Sequence, residues 1–345
     1  VGIDQLRRSF EYQGAIFHTT SDSELIAYAI AQERLRCASV EEAVVRATAN
    51  LRGAFSLLVM SPQKLIACRD PWGFRPLCMG RKGDAVLFAS ESCAIQAVGG
   101  TVERELDPGE VVVVQDGRTR SIRDNCRGLS HMCVFEYIYF ARPDSVIAGQ
   151  SVHRARLNAG RLLARQAPVE ADLVVGVPDS GLDAALGYAR QSGIPNGMGF
   201  VKNRYIGRTF ITPDQASREQ AVRIKLSALA SEVAGRRVVM VDDSIVRGTT
   251  CRQIINLLRE AGAREVHMRV SAPPFIAPFY FGTDIPDREK LIACRHSVEE
   301  IRELAGADSL AYLSLENLQK LASDAQCGFC SGCFTGTYPI RDVLP

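Results

Sequence analysis

The chain of 345 residues has little of what marks a membrane protein or a nucleic-acid-binding protein. No apolar run approaches the roughly 18 residues that a membrane span requires. The opening segment VGIDQLRRSFEYQG lacks both the apolar stretch and the small-residue cleavage site of a secretion signal. The net charge is only +2, so a general nucleic-acid or membrane-surface role has little support. We therefore expect a cytoplasmic protein that binds neither membranes nor nucleic acids.

The sequence also lacks the common nucleotide-binding loops. It contains no GxxxxGK(S/T) pattern and no GxGxxG that opens a helix after a strand. Disulfides are not expected, because 11 cysteines without a secretion signal indicate a reducing compartment, where clustered thiols more often bind metal. The 46% of hydrophobic and 23% of charged residues are typical of a globular enzyme, and the length allows two domains.

The pattern of apolar residues divides the chain into two parts. In the first part, strand-like runs such as GAFSLLVMS and GEVVVVQDG are separated by turns and accompanied by helical patterns, which favours an α/β domain with much antiparallel sheet. From residue 152 to residue 274, strands and helices alternate. This alternation predicts a doubly wound parallel sheet that binds ligands at the carboxyl ends of its strands.

The most informative stretch is RVVMVDDSIVRGTT at residues 237–250. A buried-strand pattern ends in Asp242 and Asp243, a loop of small residues follows, and an amphipathic helix pattern then begins. Backbone N–H groups at a helix N-terminus bind phosphate, and two carboxylates at a strand end can hold a sugar diol, directly or through a divalent cation. An acidic pair alone is more often a solvated loop or a helix cap. With the phosphate receptor beside it, the pair suits a ribose 5-phosphate.

Two further segments fit the same ligand. The segment VPDSG at residues 177–181 ends a second apolar strand; Gly181 there allows close approach of the backbone, and Ser180 offers an oxygen to a hydrated Mg²⁺. Alone, this motif is typical of a turn with a helix cap. The segment KNRYIGRTF at residues 202–210 concentrates three cations, a pattern that is usually a solvated face or could stack on RNA. The near-neutral total argues against RNA, and we expect this loop to close over a pyrophosphate leaving group.

The string DDSIVRGTT resembles the phosphoribosyl-pyrophosphate (PRPP) binding motif of type I phosphoribosyltransferases. Together with VPDSG, KNRYIGRTF, CVFEYIYFARPDS before them and CFTGTYP after them, it makes the whole chain resemble the glutamine PRPP amidotransferase family. The resemblance implies a pentosyltransferase that forms 5-phospho-β-D-ribosylamine from PRPP and glutamine-derived ammonia. This reaction is the first committed step of de novo purine (IMP) biosynthesis.

The resemblance also implies the domain organisation. An incomplete α+β glutaminase domain of the N-terminal-nucleophile hydrolase type would occupy residues 1–128. An α/β type I phosphoribosyltransferase domain with a parallel sheet would occupy residues 129–310, and a helical, Cys-rich tail would occupy residues 311–345.

The resemblance assigns roles to individual residues. Mg²⁺ would be held by Ser180, Asp242 and Asp243. PRPP would be bound by these three and by Asp179, Gly181, Ser244, Arg247, Gly248, Thr249 and Thr250. The basic segment would supply the catalytic residues Lys202, Arg204, Tyr205 and Arg208. Asp22, in a TTSDSE segment like the family's TTSD, would receive the α-amino group of glutamine, although Ser21 and Asp22 also fit a helix N-cap with Glu24 completing a capping box.

The tail sequence CGFCSGC contains two overlapping CxxC units, a spacing that strongly indicates a metal but does not distinguish zinc from iron–sulfur. Some members of the family hold a 4Fe–4S cluster on residues matching Cys133, Cys330 and Cys333. Their fourth ligand lies in a Pro-Cys-Phe-Tyr-Gly-like string, where this chain has PFYFG at residues 278–282. We expect a cluster with Cys294 as the fourth ligand; Cys327 in that role, zinc, and no metal are the alternatives.

One departure concerns the glutaminase nucleophile. The family uses an N-terminal cysteine whose own α-amino group acts as the base. Here residue 1 is Val, and the first cysteine is Cys37 on a predicted helix. We therefore expect that the sequence begins inside the glutaminase domain and that the chain as given uses free ammonia. The resemblance further suggests a homotetramer that is inhibited by purine nucleotides.

Two other functions fit less well. A regulator could use a phosphoribosyltransferase fold to sense PRPP and bind nucleic acid, but the chain has no evident basic recognition helix. A salvage phosphoribosyltransferase acting on a nucleobase is usually a single domain and would not need the large N-terminal part.

Replacing Arg204 with Ala should lower turnover more than ground-state binding of PRPP, because we expect its contact to form mainly when the basic loop closes. Steady-state kinetics and direct measurement of PRPP affinity would separate the two effects. A loss of PRPP affinity with unchanged turnover would contradict a transition-state role for Arg204.

Overall fold

The computed structural model describes residues 3–203, 225–281 and 287–340. Its helices are α1 (Ile3–Tyr12), α2 (Asp22–Arg34), α3 (Val40–Ala49), α4 (Ser92–Ala97), α5 (Val152–Gln166), α6 (Gly181–Ser192), α7 (Ala230–Val233), α8 (Thr249–Glu260), α9 (Val298–Ala305), α10 (Leu315–Lys320) and α11 (Gly332–Thr335). A π-helical turn lies at Glu136–Phe140, and 3-10 turns lie at Arg288–Lys290 and Ile292–Cys294. Among the described residues, no helix is long and apolar enough to cross a membrane.

The strands are β1 (Ser56–Met60), β2 (Leu65–Arg69), β3 (Cys78–Lys82), β4 (Ala85–Ala89), β5 (Thr101–Glu105), β6 (Val111–Gln115), β7 (Arg118–Ile122), β8 (His131–Cys133), β9 (Val146–Ile147), β10 (Gln150–Ser151), β11 (Leu173–Gly176), β12 (Phe200–Lys202), β13 (Leu226–Ala228), β14 (Arg237–Asp242), β15 (Glu265–Val270), β16 (Ser309–Tyr312) and β17 (Gly328–Cys330).

The N-terminal part is built on two antiparallel sheets. One has the strand order β1-β2-β6-β7 and the other the order β4-β3-β5. In the first sheet Ile66 pairs with Val113, and both pack with Val44 of α3 in a buried cluster. Helix and sheet therefore share one core, which confirms the α+β domain expected from the sequence.

The second part contains a four-stranded sheet of order β11-β14-β15-β16 whose strands are all parallel. Alternate residues of its strands enter opposite cores: Val239 and Val241 pack with residues of α5 and α6, whereas Val238 and Met240 pack with residues of α8 and α9. Apolar side chains on both faces are what a parallel strand covered by helices on both sides requires. The doubly wound sheet is thus confirmed. The expected domain boundary at residue 310 falls inside β16.

Helices α5 and α6 approach each other through two glycines. A Cβ atom at Gly160 would lie 1.8 Å from the carbonyl oxygen of Ala184, and one at Gly187 would lie 2.0 Å from that of Leu157. Only residues without a side chain allow this separation. The contact fixes α6, whose first residue is Gly181 of the VPDSG segment.

Buried polar and aromatic contacts join the two parts of the chain. Asp70, which is fully buried, accepts hydrogen bonds from the backbone N–H groups of Trp72 and Phe74 at 3.0 Å each, and so shapes the turn at residues 69–76. That turn presents Arg75 to the buried Glu136 in an ion pair. Phe74 stacks on Phe281 with ring centroids 4.2 Å apart. The N-terminal part is therefore packed directly on the parallel-sheet part.

Replacing Gly160 with Ala should destabilise the protein by about 1–3 kcal/mol or more, because overpacking forces the two helices apart. Urea or thermal unfolding would measure the loss. Arg161→Ala in the same helix is the matched control, since Arg161 is exposed. A change within about 0.5 kcal/mol for Gly160→Ala, the range of ordinary surface substitutions, would contradict the close approach.

Candidate active site at the carboxyl edge of the parallel sheet

The ends of β11 and β14 bring the VPDSG loop against the acidic pair. Gly176 is in register with Val241, and the N–H of Val177 donates to the Val241 carbonyl oxygen at 2.9 Å. The loop then turns back, and a Cβ atom at Gly181 would lie 2.5 Å from the same oxygen. Glycine is therefore required at residue 181. The Pro178–Asp179 peptide bond is cis.

Asp242 and Asp243 are both buried, with 8% and 7% of their surface exposed. Burial raises the pKa of both carboxyl groups, and the neighbouring Asp243 raises that of Asp242 further. Ser180 and Ser244 donate hydroxyl hydrogen bonds to the two oxygens of Asp243, which partly offset the effect of burial on its pKa. Two adjacent carboxylates in such a site favour a bound cation.

The residues of the site fit a Mg²⁺ ion that is bound jointly by the protein and by the phosphates of a substrate. Mg²⁺ usually keeps several waters and binds one or two carboxylates together with substrate phosphates. The acidic pair and the Ser180 hydroxyl group supply that kind of partial ligand set. No group of three or more His, Cys, Asp or Glu side chains in the described part of the chain could hold a metal ion by itself.

The loop after the acidic pair ends at the N-terminus of α8. Ile245 is buried and anchors the loop, while Arg247, Thr249 and Thr250 are exposed. Gly248 has a φ of +82°, and a Cβ atom there would lie 2.5 Å from the side chain of Ile292. Glycine thus permits the turn from this loop into α8, and a helix N-terminus is a place where an anion can bind.

The basic segment begins at Lys202, the last residue of β12. Its ammonium group forms an ion pair with Asp179 of the VPDSG loop, and both side chains are substantially exposed. An exposed pair of this kind is weak, so either partner can be displaced by a ligand. Arg204, Tyr205 and Arg208 lie outside the described residues, and their catalytic role remains a prediction.

Asp22 lies far along the chain from the acidic pair, at the exposed first residue of α2. The N-cap interpretation of Ser21 is confirmed, because its hydroxyl oxygen accepts from the N–H of Ser23 at 3.2 Å. The expected capping box is not formed, because the N–H of Ser21 donates to the hydroxyl oxygen of Thr19 rather than to Glu24. Glu24 accepts from the N–H groups of His18 and Thr19, at 2.9 and 2.8 Å, and so holds the preceding turn. The glutamine-binding role of Asp22 stays a prediction.

The structure brings three of the four expected cluster ligands together. Cys330 is in register with Cys133 in the β17–β8 pair, and Cys333 is the second residue of the short helix α11. These thiols line a cavity of about 10 Å³. Burial raises the pKa of each, that of Cys330 to about 11. Cys294 and Cys327 do not line the cavity; Sγ of Cys294 lies 3.2 Å from the Ile276 carbonyl oxygen.

One charged residue near the site escaped the sequence analysis. Arg156 is 5% exposed and donates to the carbonyl oxygens of Tyr137 and Ala141, at 2.8 and 2.7 Å. Its positive charge also lowers the pKa of Asp243. This effect is smaller than those of burial and of the hydrogen bonds from Ser180 and Ser244. The sequence feature that indicates it is its position on the same helical face as the apolar residues Ala159 and Leu163.

Two family models match the chain. A glutamine amidotransferase domain covers residues 2–97, and a phosphoribosyl transferase domain covers residues 152–274.

Close relatives carry one name. The amidophosphoribosyltransferase of Bacillus subtilis (strain 168) is 50% identical over 353 residues, with coverage of 100% of this chain and 74% of the relative. That of Archaeoglobus fulgidus is 48% identical over 342 residues and covers 99% and 75%.

A solved structure agrees. Glutamine PRPP amidotransferase from B. subtilis, complexed with ADP and GMP, is 48% identical with a TM-score of 0.89, and the match covers 99% of this chain and 76% of that chain. The chain therefore belongs to the amidophosphoribosyltransferase family, the pentosyltransferases of purine biosynthesis, and combines a glutamine amidotransferase domain with a phosphoribosyltransferase domain.

Proposed function

We propose that the carboxyl edge of the parallel sheet binds PRPP with Mg²⁺ and transfers its phosphoribosyl group to ammonia. The products would be 5-phospho-β-D-ribosylamine and pyrophosphate. The observation that carries this proposal is the hydrogen bond from Ser180 to Asp243, because it joins the VPDSG loop to the acidic pair. A receptor for pyrophosphate and a receptor for the ribose diol then lie side by side.

Each part of the site has a chemical task. Asp242 and Asp243 would hold the ribose hydroxyl groups, and residues 244–250 with the N-terminus of α8 would hold the 5-phosphate. Asp179, Ser180 and Gly181 would face the pyrophosphate. Mg²⁺, when bound, supplies positive charge that stabilises the departing pyrophosphate.

The reaction needs little covalent participation by the protein. The bond between C1 and the pyrophosphate oxygen breaks, and its electron pair leaves with the pyrophosphate. The lone pair of ammonia forms the new C1–N bond with inversion, and one proton is lost from nitrogen. Lys202 would stabilise the leaving group after exchanging its Asp179 partner for phosphate oxygens. Arg204, Tyr205 and Arg208 complete this set in our proposal.

Glutamine is the proposed source of ammonia. Residues 1–128 would form the amidotransferase unit, and Asp22 would bind the α-amino group of glutamine through a charge-assisted hydrogen bond. The match of residues 2–97 to a glutamine amidotransferase domain supports this part.

Regulation, assembly and location are further parts of the proposal. Because the B. subtilis structure is complexed with ADP and GMP, we propose that purine nucleotides inhibit this chain. A homotetramer is proposed from the family resemblance. Eleven free cysteines support a reducing compartment such as the cytoplasm. Only three of the expected cluster ligands line one cavity, so the residues present do not support a four-cysteine iron–sulfur cluster.

The function is tested by pyrophosphate release from PRPP, Mg²⁺ and ammonia, because ammonia makes the assay depend on the phosphoribosyltransferase domain alone. We expect turnover that requires both Mg²⁺ and ammonia. Tight PRPP binding by well-folded protein without turnover would overturn the enzyme assignment and favour a PRPP-sensing regulator.

Replacing Asp243 with Asn should weaken PRPP binding about 10- to 100-fold, because hydrogen bonds to a charged group contribute roughly 1.5–3 kcal/mol. Isothermal titration calorimetry with PRPP and Mg²⁺ would measure the change. The matched control is Asp172→Asn, which removes an exposed acid that pairs with Arg237 at the opposite end of β14. Equal PRPP affinity and turnover in Asp243→Asn and the unaltered protein would refute the assignment.

A further inference from the structure

The three-thiol cavity, lined by Cys133, Cys330 and Cys333, is closed by aromatic side chains. The rest of its lining consists of Phe279, Tyr280, Phe281 and Tyr338. Its volume of about 10 Å³ corresponds to about one water molecule. A core of four iron and four sulfide ions is many times larger than one water, and it needs four ligands of which this lining offers three thiols.

Phe279 is held firmly in the lining. It is 6% exposed, and its ring makes edge contacts with Phe135 at 5.5 Å and with Phe140 at 5.9 Å between centroids. Phe275 adds a third edge contact at 6.4 Å. Packing of the Phe279 ring against these three neighbours fills this side of the cavity.

The aromatic lining also joins three parts of the chain. Phe281 stacks on Phe74 of the N-terminal part, and Tyr338 of the tail packs edge-on against Phe281 at 5.8 Å. The hydroxyl group of Tyr338 donates to the carbonyl oxygen of Pro278. The tail is thereby attached to both domains through rings and a hydrogen bond.

Neither of the remaining candidate thiols lines the cavity. Sγ of Cys294 lies 3.2 Å from the Ile276 carbonyl oxygen, outside the lining. Cys327, also outside the lining, is near the charges of Glu105 and Arg69. The residues therefore do not fit a cluster with four cysteine ligands.

We infer that the three-thiol cavity holds no metal and that aromatic packing around Phe279 attaches the tail to both domains. Residue 279 alone decides this outcome, since a thiol there would complete a four-cysteine set with Cys133, Cys330 and Cys333. The inference goes beyond the proposed function, and its measurements do not depend on turnover.

Metal content tests the inference directly. The unaltered protein, Phe279→Cys and Phe275→Cys are reconstituted anaerobically with ferrous iron and sulfide, desalted, and analysed for iron, sulfide and zinc. Phe275→Cys is the matched control, because Phe275 is 1% exposed in the same core but does not line the cavity. A variant with Ser at Cys133, Cys330 and Cys333 gives the background.

Phe279→Cys should retain about four iron atoms per chain, the content of a four-cysteine cluster. The unaltered protein and Phe275→Cys should retain no more iron or zinc than the background variant. Stoichiometric iron or zinc in the unaltered protein would overturn the inference. So would a folded Phe279→Cys protein that gains no iron.

A stability measurement covers the case in which Phe279→Cys does not fold. If rings rather than metal attach the tail, Phe279→Ala should lower the melting temperature of the unaltered protein more than Cys330→Ala does. A larger fall for Cys330→Ala, or a fall on adding a thiol-competing chelator such as phenanthroline, would show that a metal holds the tail.

Discussion

The site depends on one constraint: two consecutive carboxylates are buried at the carboxyl end of a central strand. β14 lies between β11 and β15, so its last residues cannot move into solvent without breaking the sheet. Asp242 and Asp243 must therefore be satisfied locally. Ser180 comes from the preceding strand's loop and Ser244 from the following turn, and both donate to Asp243. This leaves two buried carboxyl groups at the sheet edge, where we propose that a cation and sugar hydroxyl groups bind.

A short segment after the N-terminal part connects this site to the rest of the molecule. Glu136 forms an ion pair with Arg75 of the amidotransferase side. The residues just after Glu136 accept two hydrogen bonds from Arg156, through the carbonyl oxygens of Tyr137 and Ala141. Arg156 in turn acts on Asp243 through its charge. An ion pair, two hydrogen bonds to backbone carbonyl oxygens and the charge of Arg156 thus connect the amidotransferase side to Asp243.

The local patterns of the chain predicted the fold and the strand, loop and helix around the acidic pair well. An apolar run that ends in Asp242 and Asp243 indicates a buried parallel strand, and the loop of small residues after it indicates a turn before a helix. Both are determined by residues that are neighbours in sequence. The capping of α2 shows the limit of such patterns. Ser21 caps the helix as expected, whereas Glu24 bonds to His18 and Thr19 instead, because the preceding turn folds back within its reach.

By itself, the sequence determined the family, the alternation of strands and helices, and the segments that form the sheet edge, since each depends on local periodicity or on a contiguous motif. Only the tertiary structure decided which distant residues meet. It placed Cys330 beside Cys133 but left Cys294 outside their cavity, and it brought Arg156 near Asp243. Such encounters depend on strand pairing and helix packing across more than 80 residues of chain, which no local pattern records.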